Sequence, residues 1–513
     1  MRQRWNIWAM GLLICAASGA WAQDNSTPPA ESSASSAQQQ PVPAYGQDNA
    51  PRPMTENPPL SGLDLPSLEP HAAPLSYLQA GATVSESADS NAANSVGGGG
   101  SFGSVSRGLA SLTLKRLWSN YDLDVGYVGG AGYYSEQGQG AKLLQQMDLE
   151  QKITWKRGQL SIRDSFSYLP EGNFGSAYGS LGSEDVGSLG STPFGGLVGG
   201  SVLGTLGLTP RILNVSLVDV SEYLSPKSAV TALGGYAFTH FYGDNAATGT
   251  PFIGVSQISA QGGYNRILTS HTQVALMYLY QGFDFSFSGL AFHSHVIQAM
   301  YGHRVSGRMD FLIGAGPQLT KIGLPCSILD VLLGNPHCSQ AQSGAVVGTI
   351  PDTRLGVAGQ ARLRYKFTKA SMDLSYQRYE TSGSGLFAGA QSDVGRLTAS
   401  RPLSRVWSAF TDIGVARNSR LQSLSPQQVA TCAPAGQPNT CPGINADTYV
   451  YGFAGAGLHR AFGRSFHGYM SYQFNELSFD NSYCGGLPEC SRISNRHVVT
   501  FGLDWTPRPV RLD

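Results

Sequence analysis

The most regular feature of the chain is an alternation of apolar with polar or small residues at every second position. In the segment 354–367, RLGVAGQARLRYKF, one set of alternate positions carries Leu355 and Leu363, whereas the other set carries Arg362. Successive side chains of a β-strand point to opposite sides, so the segment is predicted to be a strand with one apolar and one charged face. The segment 496–505, RHVVTFGLDW, has the same alternation and ends in Trp on its apolar side.

About sixteen segments of this kind can be counted between residues 121 and 507. The segment 111–118 also alternates, so strand counts of 14–18 are compatible with the pattern. Short connections such as 157–158 and long connections such as 170–210 follow one another in turn. The sequence shows no apolar run long enough for a membrane helix and no sustained apolar stripe at helical spacing. The pattern therefore predicts an all-β fold.

The length of the segments and the rhythm of their connections indicate a membrane barrel. Strands that cross a bilayer must pair every backbone group, which only a closed barrel allows. Short turns on one side and long loops on the other are typical of such barrels. A soluble all-β sandwich is the alternative, because half-buried strands also alternate. We expect a transmembrane antiparallel up-and-down β-barrel of about 16 strands, with apolar residues facing lipid and polar residues facing the lumen.

The N-terminal part of the chain has a different composition. Residues 1–22 contain two early arginines, an apolar run and small residues before Gln23, which is the layout of a cleaved secretory signal. Residues 23–105 are rich in Pro, Ser, Gln and Gly, and such a segment cannot bury enough apolar area to fold. We expect a signal peptide over 1–22, a disordered arm over 23–105 and the barrel over 106–513.

Composition and charge exclude other classes. The chain has 513 residues with 64 Gly and only 13% charged residues, which is unlike a string of ordinary soluble domains. Lys and Arg number 34, as do Asp and Glu, so the formal net charge is zero. No global field favours nucleic acid, and we expect no nucleic-acid partner.

The last alternating segment carries the most specific motif. Thr500, Gly502 and Trp505 place a polar residue, a Gly two positions later and an aromatic residue three positions after that. With the strand pattern over 107–513, the chain resembles a bacterial outer-membrane β-barrel of the porin type. The resemblance implies recognition of the motif by the barrel-insertion machinery and residence in outer-membrane lipid. It also implies passive passage of small hydrophilic solutes through a monomer or a homo-trimer.

Charged residues on alternate positions are candidates for the wall of the passage. Two groups of opposite sign fall on strands that a ring of about 16 places roughly opposite each other: Asp122, Asp124, Asp148 and Glu150, and then Arg362, Arg364, Lys366 and Arg396. Opposed charges would create a transverse field that orients dipolar solutes and sets ion selectivity. The alternative is that these charges pair with their neighbours and only keep the wall hydrated.

Six cysteines follow the signal, and they fall in pairs within long connections. Pairing within a loop needs no contact between loops, and an oxidising compartment permits it. We expect disulfides rather than metal sites between Cys326 and Cys338, between Cys432 and Cys441, and between Cys484 and Cys490.

Residues that could carry catalysis are few. His293 and His295 share a strand face but lack an evident third metal ligand, so an interfacial role is favoured. No spacing singles out a nucleophile or paired acids beside a histidine, and we expect no enzyme activity, metal or cofactor. Two alternatives stay open: a barrel that exports or assembles exopolysaccharide, and a barrel hydrolase. Tyr449, Tyr451 and Phe453 would favour sugar passage if they faced the lumen.

Overall fold

The computed structural model describes residues 76–91, 102–135, 140–169, 211–242, 254–285, 291–326, 328–340, 346–381, 387, 389–421, 446–463, 465–480 and 492–512. Strands β1 to β11 span Tyr77–Asp89, Gly103–Leu117, Tyr121–Tyr134, Gly140–Trp155, Gly158–Leu169, Arg211–Ser225, Ser228–Phe241, Val255–Thr269, Thr272–Phe285, Ala291–Ser306 and Met309–Pro325. A short helix α1, Ile328–Leu332, and strand β12, Cys338–Gln340, follow. Strands β13 to β20 span Val346–Lys366, Ser371–Thr381, Ala390–Pro402, Trp407–Arg420, Thr448–Ala461, Phe466–Phe479, Ile493–Trp505 and Val510–Arg511.

All of these strands except β12 and β20 form one closed antiparallel ring of eighteen strands. Each strand from β1 to β11 pairs with the next in sequence, β11 pairs with β13, and sequential pairing continues to β19. The ring closes where β19 pairs with β1, from Ala82 opposite Trp505 to Asp89 opposite Val498. Each strand of the ring therefore pairs with a neighbour on both sides, as a bilayer requires.

The ring exceeds the expected number of about 16 strands by two, and it lies at the upper end of the range 14–18. The additional strands are β1 and β2. Strand β1 lies within 23–105, so the boundary of the disordered arm at residue 105 is wrong: the barrel begins at Tyr77. Its sequence, YLQAGATVSESAD, is rich in small residues and gives a weak alternation signal. Pairing with β2 and β19 on both edges stabilises it instead. The signal peptide and the rest of the arm lie outside the described residues.

The two faces of the strands have opposite character. Large apolar side chains on the outer face are exposed, for example Ile258 at 59% and Leu276 at 57%, whereas inward polar residues such as Gln281 and Ser294 are buried at 1% and 0%. A water-soluble protein has the reverse arrangement, and a transmembrane barrel requires this one. The fold is therefore a transmembrane antiparallel β-barrel. No helix within the described ranges has the length and hydropathy to cross a membrane.

The connections distinguish the two ends of the barrel. Tight turns join β4 to β5 and β6 to β7, for example, and we call the end that carries them the short-turn end. The opposite, long-loop end carries the connection 170–210 and the segment with α1 and β12. Tyr77 and Trp505 both lie at the short-turn end, because β1 runs away from it and β19 runs toward it.

The wall separates between β13 and β14 near the long-loop end. Their pairing stops at Gly359 opposite Arg378, whereas the pairing of β13 with β11 continues to Thr349. Beyond that point the end of β14 turns toward the lumen, because Thr320 of β11 donates a hydrogen bond to the carboxyl group of Glu380. This contact reaches past β13, which lies between the two strands in the sheet.

Candidate functional site

The lumen is the candidate functional site, and all eight charged residues expected on its wall occupy inward positions. Asp122, Asp124, Asp148 and Glu150 lie on one face of β3 and β4, and Arg362, Arg364, Lys366 and Arg396 lie on the inner face of β13 and β15. Counted along the sheet, β13 is the ninth strand after β3 in the ring of eighteen. The two groups therefore face each other across the barrel. Their role in a passage stays a prediction.

The three arginines bind carboxylates of neighbouring strands: Arg364 binds Asp310, Arg362 binds Asp373, and Arg396 binds Asp412. The Arg364 pair is buried and bidentate, with Nε and Nη2 at 2.8 and 3.0 Å from the two carboxylate oxygens of Asp310. Charges this close cancel most of each other's field at a distance. These contacts favour the alternative that the charges pair with their neighbours. A transverse field across the lumen can arise only from charge that such pairs do not cancel.

The acidic group is also engaged locally. Lys115 Nζ lies 3.6 Å from the carboxylate of Asp124. Gln146 Nε2 donates to Asp148 at 2.9 Å, and Ser165 donates to the same carboxylate. The Lys115 and Asp124 side chains keep 29% and 42% exposure, so this part of the wall remains accessible to water.

Near the long-loop end part of the inner wall is apolar, which the sequence did not predict. The first apolar cluster consists of Leu213, Val215, Leu217, Leu233, Ala237, Phe283, Phe285, Phe292, Ile322 and Leu421. The rings of Phe283 and Phe292 stack at 4.3 Å between centroids and are at most 1% exposed. Strand β6 carries apolar residues on both faces, for example Val215 inward and Val218 outward. That two-sided pattern is the signal that could have revealed the cluster.

A second apolar cluster lies on the inner face of β15 to β18 and comprises Phe387, Ala390, Ala416, Ala446, Tyr449, Tyr451, Leu477 and Phe479. The Phe387 and Tyr449 ring centroids are 5.2 Å apart. Gly389, two residues after Phe387, lies against Phe292 of the first cluster, since a Cβ added there would be 2.8 Å from that ring. The start of β15 therefore contacts both clusters, and both lie on the inner wall toward the long-loop end.

Smaller apolar groups also lie on the inner wall nearer the short-turn end. Ala275, Met277, Met300 and Leu312 form one such group on β9 to β11. Leu312 is paired directly with Arg362 of β13, so this group adjoins the charged residues of that strand, whereas β3 and β4 lie elsewhere in the ring. The inner wall is thus a mosaic, with accessible charges confined to particular strands.

Tyr449, Tyr451 and Phe453 face the lumen, so the facing that the sequence left ambiguous is settled by register. They pair directly with Phe479, Leu477 and Asn475, which are inward residues of β18. Tyr449 and Tyr451 are fully buried, whereas Phe453 is half-buried.

One of the three expected disulfides is present within the described residues. Cys326 and Cys338 are bonded, with their Cα atoms 5.7 Å apart, and they enclose α1. Cys432, Cys441, Cys484 and Cys490 lie outside the described residues, and their pairing stays a prediction.

The proposed insertion motif lies in the closing strand β19. Thr500 is buried and its Oγ1 is 2.9 Å from Ser87 Oγ of β1. Gly502 pairs with Tyr469 of β18, and the ring of Tyr469 lies over it. Trp505 faces outward at 42% exposure. An outward Trp at a strand end fits the interfacial aromatic belt. The motif's reading by insertion machinery stays a prediction.

His293 and His295 face outward near the long-loop end and contact tyrosines of β9. Tyr280 OH lies 3.0 Å from Nδ1 of His293, and Tyr278 OH lies 2.8 Å from Nδ1 of His295. Such rings are typical of a membrane interface. Across the described part of the chain, no three His, Cys, Asp or Glu residues are grouped to hold a metal ion.

Solved structures of outer-membrane proteins are similar to this chain at low identity and low TM-score. No protein-family model and no curated protein matches the chain. Acinetobacter baumannii OccAB1 is 9% identical with a TM-score of 0.39, over 85% of this chain and 97% of that one. The outer membrane channel DcaP of the same species is 7% identical with a TM-score of 0.35, over 85% and 99%.

A bacterial polysaccharide outer membrane secretin is 9% identical to this chain with a TM-score of 0.30, over 84% of this chain and 98% of that one. At such low identities and TM-scores these likenesses carry no inference about what crosses the barrel. The closed antiparallel ring and its apolar outer face establish the architecture by themselves. The chain is built as a closed transmembrane antiparallel β-barrel.

Proposed function

We propose that the protein is a channel of the bacterial outer membrane that passes small hydrophilic solutes by diffusion, and that it is not an enzyme. The observation that carries this proposal is a closed ring of eighteen strands with an apolar outer face and accessible charges on part of its inner wall. A barrel of this strand number is wide enough for an aqueous channel. The side chains of Arg362 and Asp124 keep 30% and 42% exposure, which supports a hydrated wall.

The orientation follows from the connections. Barrels of this type place short turns in the periplasm and long loops outside the cell. The Cys326–Cys338 disulfide then lies outside the cell, where thiols are oxidised. Secretion by the signal over 1–22 and insertion through Thr500, Gly502 and Trp505 complete this proposal.

The charged wall and the apolar clusters have separate roles in the proposed channel. The ion pairs of β11 and β13 to β16 keep polar groups satisfied on the wall without a large net charge. The two apolar clusters narrow the passage toward the cell exterior. We propose that the clusters limit solute size and that the accessible charges set a modest ion preference.

Planar-bilayer recordings of the refolded protein test this function, with ion selectivity measured in a salt gradient. We expect steady single-channel conductance and a reversal potential that changes for Arg362→Glu and for Glu150→Lys. Arg401→Glu is the matched control, because it makes the same charge change at an exposed outward position of β15. Protein that is folded by its heat-modifiable gel mobility but carries no current would refute the channel.

Export of exopolysaccharide is the second candidate, and one observation favours it. Phe453 faces the lumen and is half-buried, so its ring can contact a sugar ring, whereas Tyr449 and Tyr451 beside it are fully buried. Cell-surface polysaccharide, measured in a strain that lacks the protein, distinguishes the two functions. A loss of surface polysaccharide with retained uptake of small solutes would favour export over diffusion.

A further inference from the structure

The inner face of β17 carries an unusual run of rings. Its six successive inward positions, 449 to 459, are Tyr, Tyr, Phe, Gly, Gly and His. Inner walls of water-filled barrels are normally polar. A run of aromatic residues on this face therefore needs a reason in packing, in ligand contact or in both.

Rings from neighbouring strands extend the run. Phe410 of β16 is paired with Gly457 and lies on it, because a Cβ added to Gly457 would meet the Phe410 ring. Ring centroids are 5.9 Å apart for Tyr451 and Phe453, and 5.2 Å apart for Phe410 and His459. We name Tyr449, Tyr451, Phe453, Phe410, His459 and Tyr469 the aromatic track.

Packing accounts for part of the track. Phe453 lies over Gly414, and Tyr469 lies over Gly502, each on the residue directly opposite in the neighbouring strand. A ring that covers a glycine shields its backbone and stabilises the sheet. Tyr449 and Tyr451 are fully buried in the second apolar cluster, so packing is a sufficient reason for them.

Packing does not account for the exposure of Phe453 and Phe410. Both rings remain half-buried on the inner wall although each covers a glycine. Both rings occupy inward positions, so each is partly accessible from the lumen. An apolar face left partly in water is unfavourable unless a ligand covers it.

Polar side chains flank these two rings. The guanidinium carbon of Arg396 lies 5.7 Å from the centre of the Phe453 ring, and Nε and Nη2 of Arg396 donate to the carboxylate of Asp412 at 2.7 and 2.6 Å. Gly455, which is half-buried, lies between Phe453 and Gly457 and pairs with Asp412 on one side and Gln473 on the other. The wall thus has a half-buried glycine between two half-buried rings, beside a largely buried Arg396–Asp412 pair.

This combination matches the chemistry of a sugar chain. A pyranose ring has an apolar face of C–H bonds that packs on an aromatic face, and its hydroxyl groups exchange hydrogen bonds with guanidinium, carboxylate and amide groups. Positions 453 and 457 are about 13 Å apart along the strand, so one ligand that touches both rings is extended. The Arg396–Asp412 pair carries no net charge, which favours a neutral ligand.

We propose that the inner wall of β16 to β18 binds linear neutral oligosaccharides, with Phe453 and Phe410 as stacking platforms and the partly exposed carboxylate of Asp412 as a partner of the hydroxyl groups. The proposal rests on the channel function and names the solute class. It assigns no role in binding to the buried Tyr449 and Tyr451.

Two measurements on the refolded protein test the track, with maltohexaose as the probe. Channel block in planar bilayers reports the sugar in the passage, and titration calorimetry in detergent reports binding without any need for current. We expect concentration-dependent block and an apparent Kd that weakens about tenfold for Phe453→Ala and for Phe410→Ala, in line with the loss of one stacked ring.

Two controls sharpen the experiment. Phe501→Ala removes an aromatic ring from the outer face, where Phe501 is 55% exposed, and is expected to leave sugar binding unchanged. Phe453→Tyr keeps a stacking face and is expected to keep affinity within about twofold, which corresponds to less than half of the 1.4 kcal/mol for a tenfold change. An anionic hexagalacturonate is expected to bind more weakly than maltohexaose.

The outcomes separate this inference from the channel itself. A conducting protein that neither binds nor is blocked by maltohexaose refutes the oligosaccharide track and leaves the channel standing. Binding that survives both phenylalanine substitutions, or that is equally strong for the anionic hexamer, also overturns the proposal. Calorimetric binding without any current refutes the diffusion channel, while track-dependent binding still supports the site.

Discussion

The two ends of one lumen are built in different ways. Toward the long-loop end, Phe283, Phe292 and Tyr449 are at most 1% exposed and pack in apolar clusters. Toward the short-turn end, charged side chains such as Arg362 and Asp124 keep partial exposure beside their partners. The number of strands determines the width of the backbone ring, but the inward side chains determine the free width of the lumen. For the proposed channel, the comparison assigns the size limit to the long-loop end and the charge preference to the short-turn end.

The largest effect is expected at the seam that closes the ring. Arg496 of β19 donates from Nε to Asp89 of β1 at 2.7 Å, and the two side chains are 8% and 2% exposed. Arg496→Ala leaves a buried carboxylate unpaired, which should lower the free energy of unfolding by about 3–5 kcal/mol. Urea unfolding of the protein in lipid vesicles, followed by tryptophan fluorescence, measures the loss.

Arg354→Ala is the matched control for the closing pair. The Arg354 and Asp352 side chains are 49% and 38% exposed, so their pair should contribute only about 0–1 kcal/mol. Equal losses for Arg354→Ala and Arg496→Ala would show that burial of the closing pair has no special weight.

The next effect is expected in the first apolar cluster. Phe292 is 0% exposed and stacks on Phe283, so Phe292→Ala should lower the free energy of unfolding by about 3 kcal/mol. Ile297→Ala on the outward face of the same strand, where Ile297 is 52% exposed, should have a smaller effect. Vesicle-based urea unfolding compares them, and a larger loss for Ile297→Ala would contradict tight packing of the lumen.

A smaller effect is expected where a ring lies on a glycine. A Cβ at Gly457 would meet the ring of Phe410, with Met470 O at 3.0 Å, whereas a Cβ at Gly452 would meet nothing within 4 Å. Gly457→Ala should therefore destabilise the barrel by about 1–2 kcal/mol, and Gly452→Ala should be close to neutral. If thermal unfolding midpoints of the two variants coincide, the ring of Phe410 does not lie on Gly457.

The smallest effect on the barrel is expected for the disulfide. The Cys326–Cys338 bond closes a sequence separation of 12 residues in a connection at the long-loop end. The double variant Cys326→Ser/Cys338→Ser should make this connection more sensitive to protease while barrel unfolding changes by less than about 0.5 kcal/mol, because the constraint is local. Limited proteolysis and urea unfolding measure the two effects, and a loss of barrel stability would contradict a local role.

The period-two pattern was sufficient for the fold class, and strand parity placed all eight charged candidates on the inner face. The pattern failed at β1, whose small residues give little contrast between faces. It also missed the apolar clusters, since β6 is apolar on both sides where its inner face packs against other side chains. The alternation shows to which side of the wall a side chain points, but it does not show whether the side chain meets water or other side chains there.

The ion-pair partners on neighbouring strands could not be predicted from the sequence for a different reason. Arg364 of β13 binds Asp310 of β11, and this contact depends on the register of the two strands. No short turn fixes that register, because the long connection with α1 and β12 joins the two strands. The direction of Tyr449 and Phe453 was ambiguous because both faces of β17 contain aromatic or small residues. Pairing with Phe479 and Asn475 settles it.

The central claim is that this barrel conducts through a lumen narrowed by the apolar clusters. Single-channel conductance of the wild type and of Phe292→Ala, both shown to be folded by heat-modifiable gel mobility, tests it most directly. We predict a steady conductance for the wild type and a larger one for Phe292→Ala, because the substitution removes a ring from the narrowed part of the lumen. Folded proteins that carry no current in either form would contradict the account.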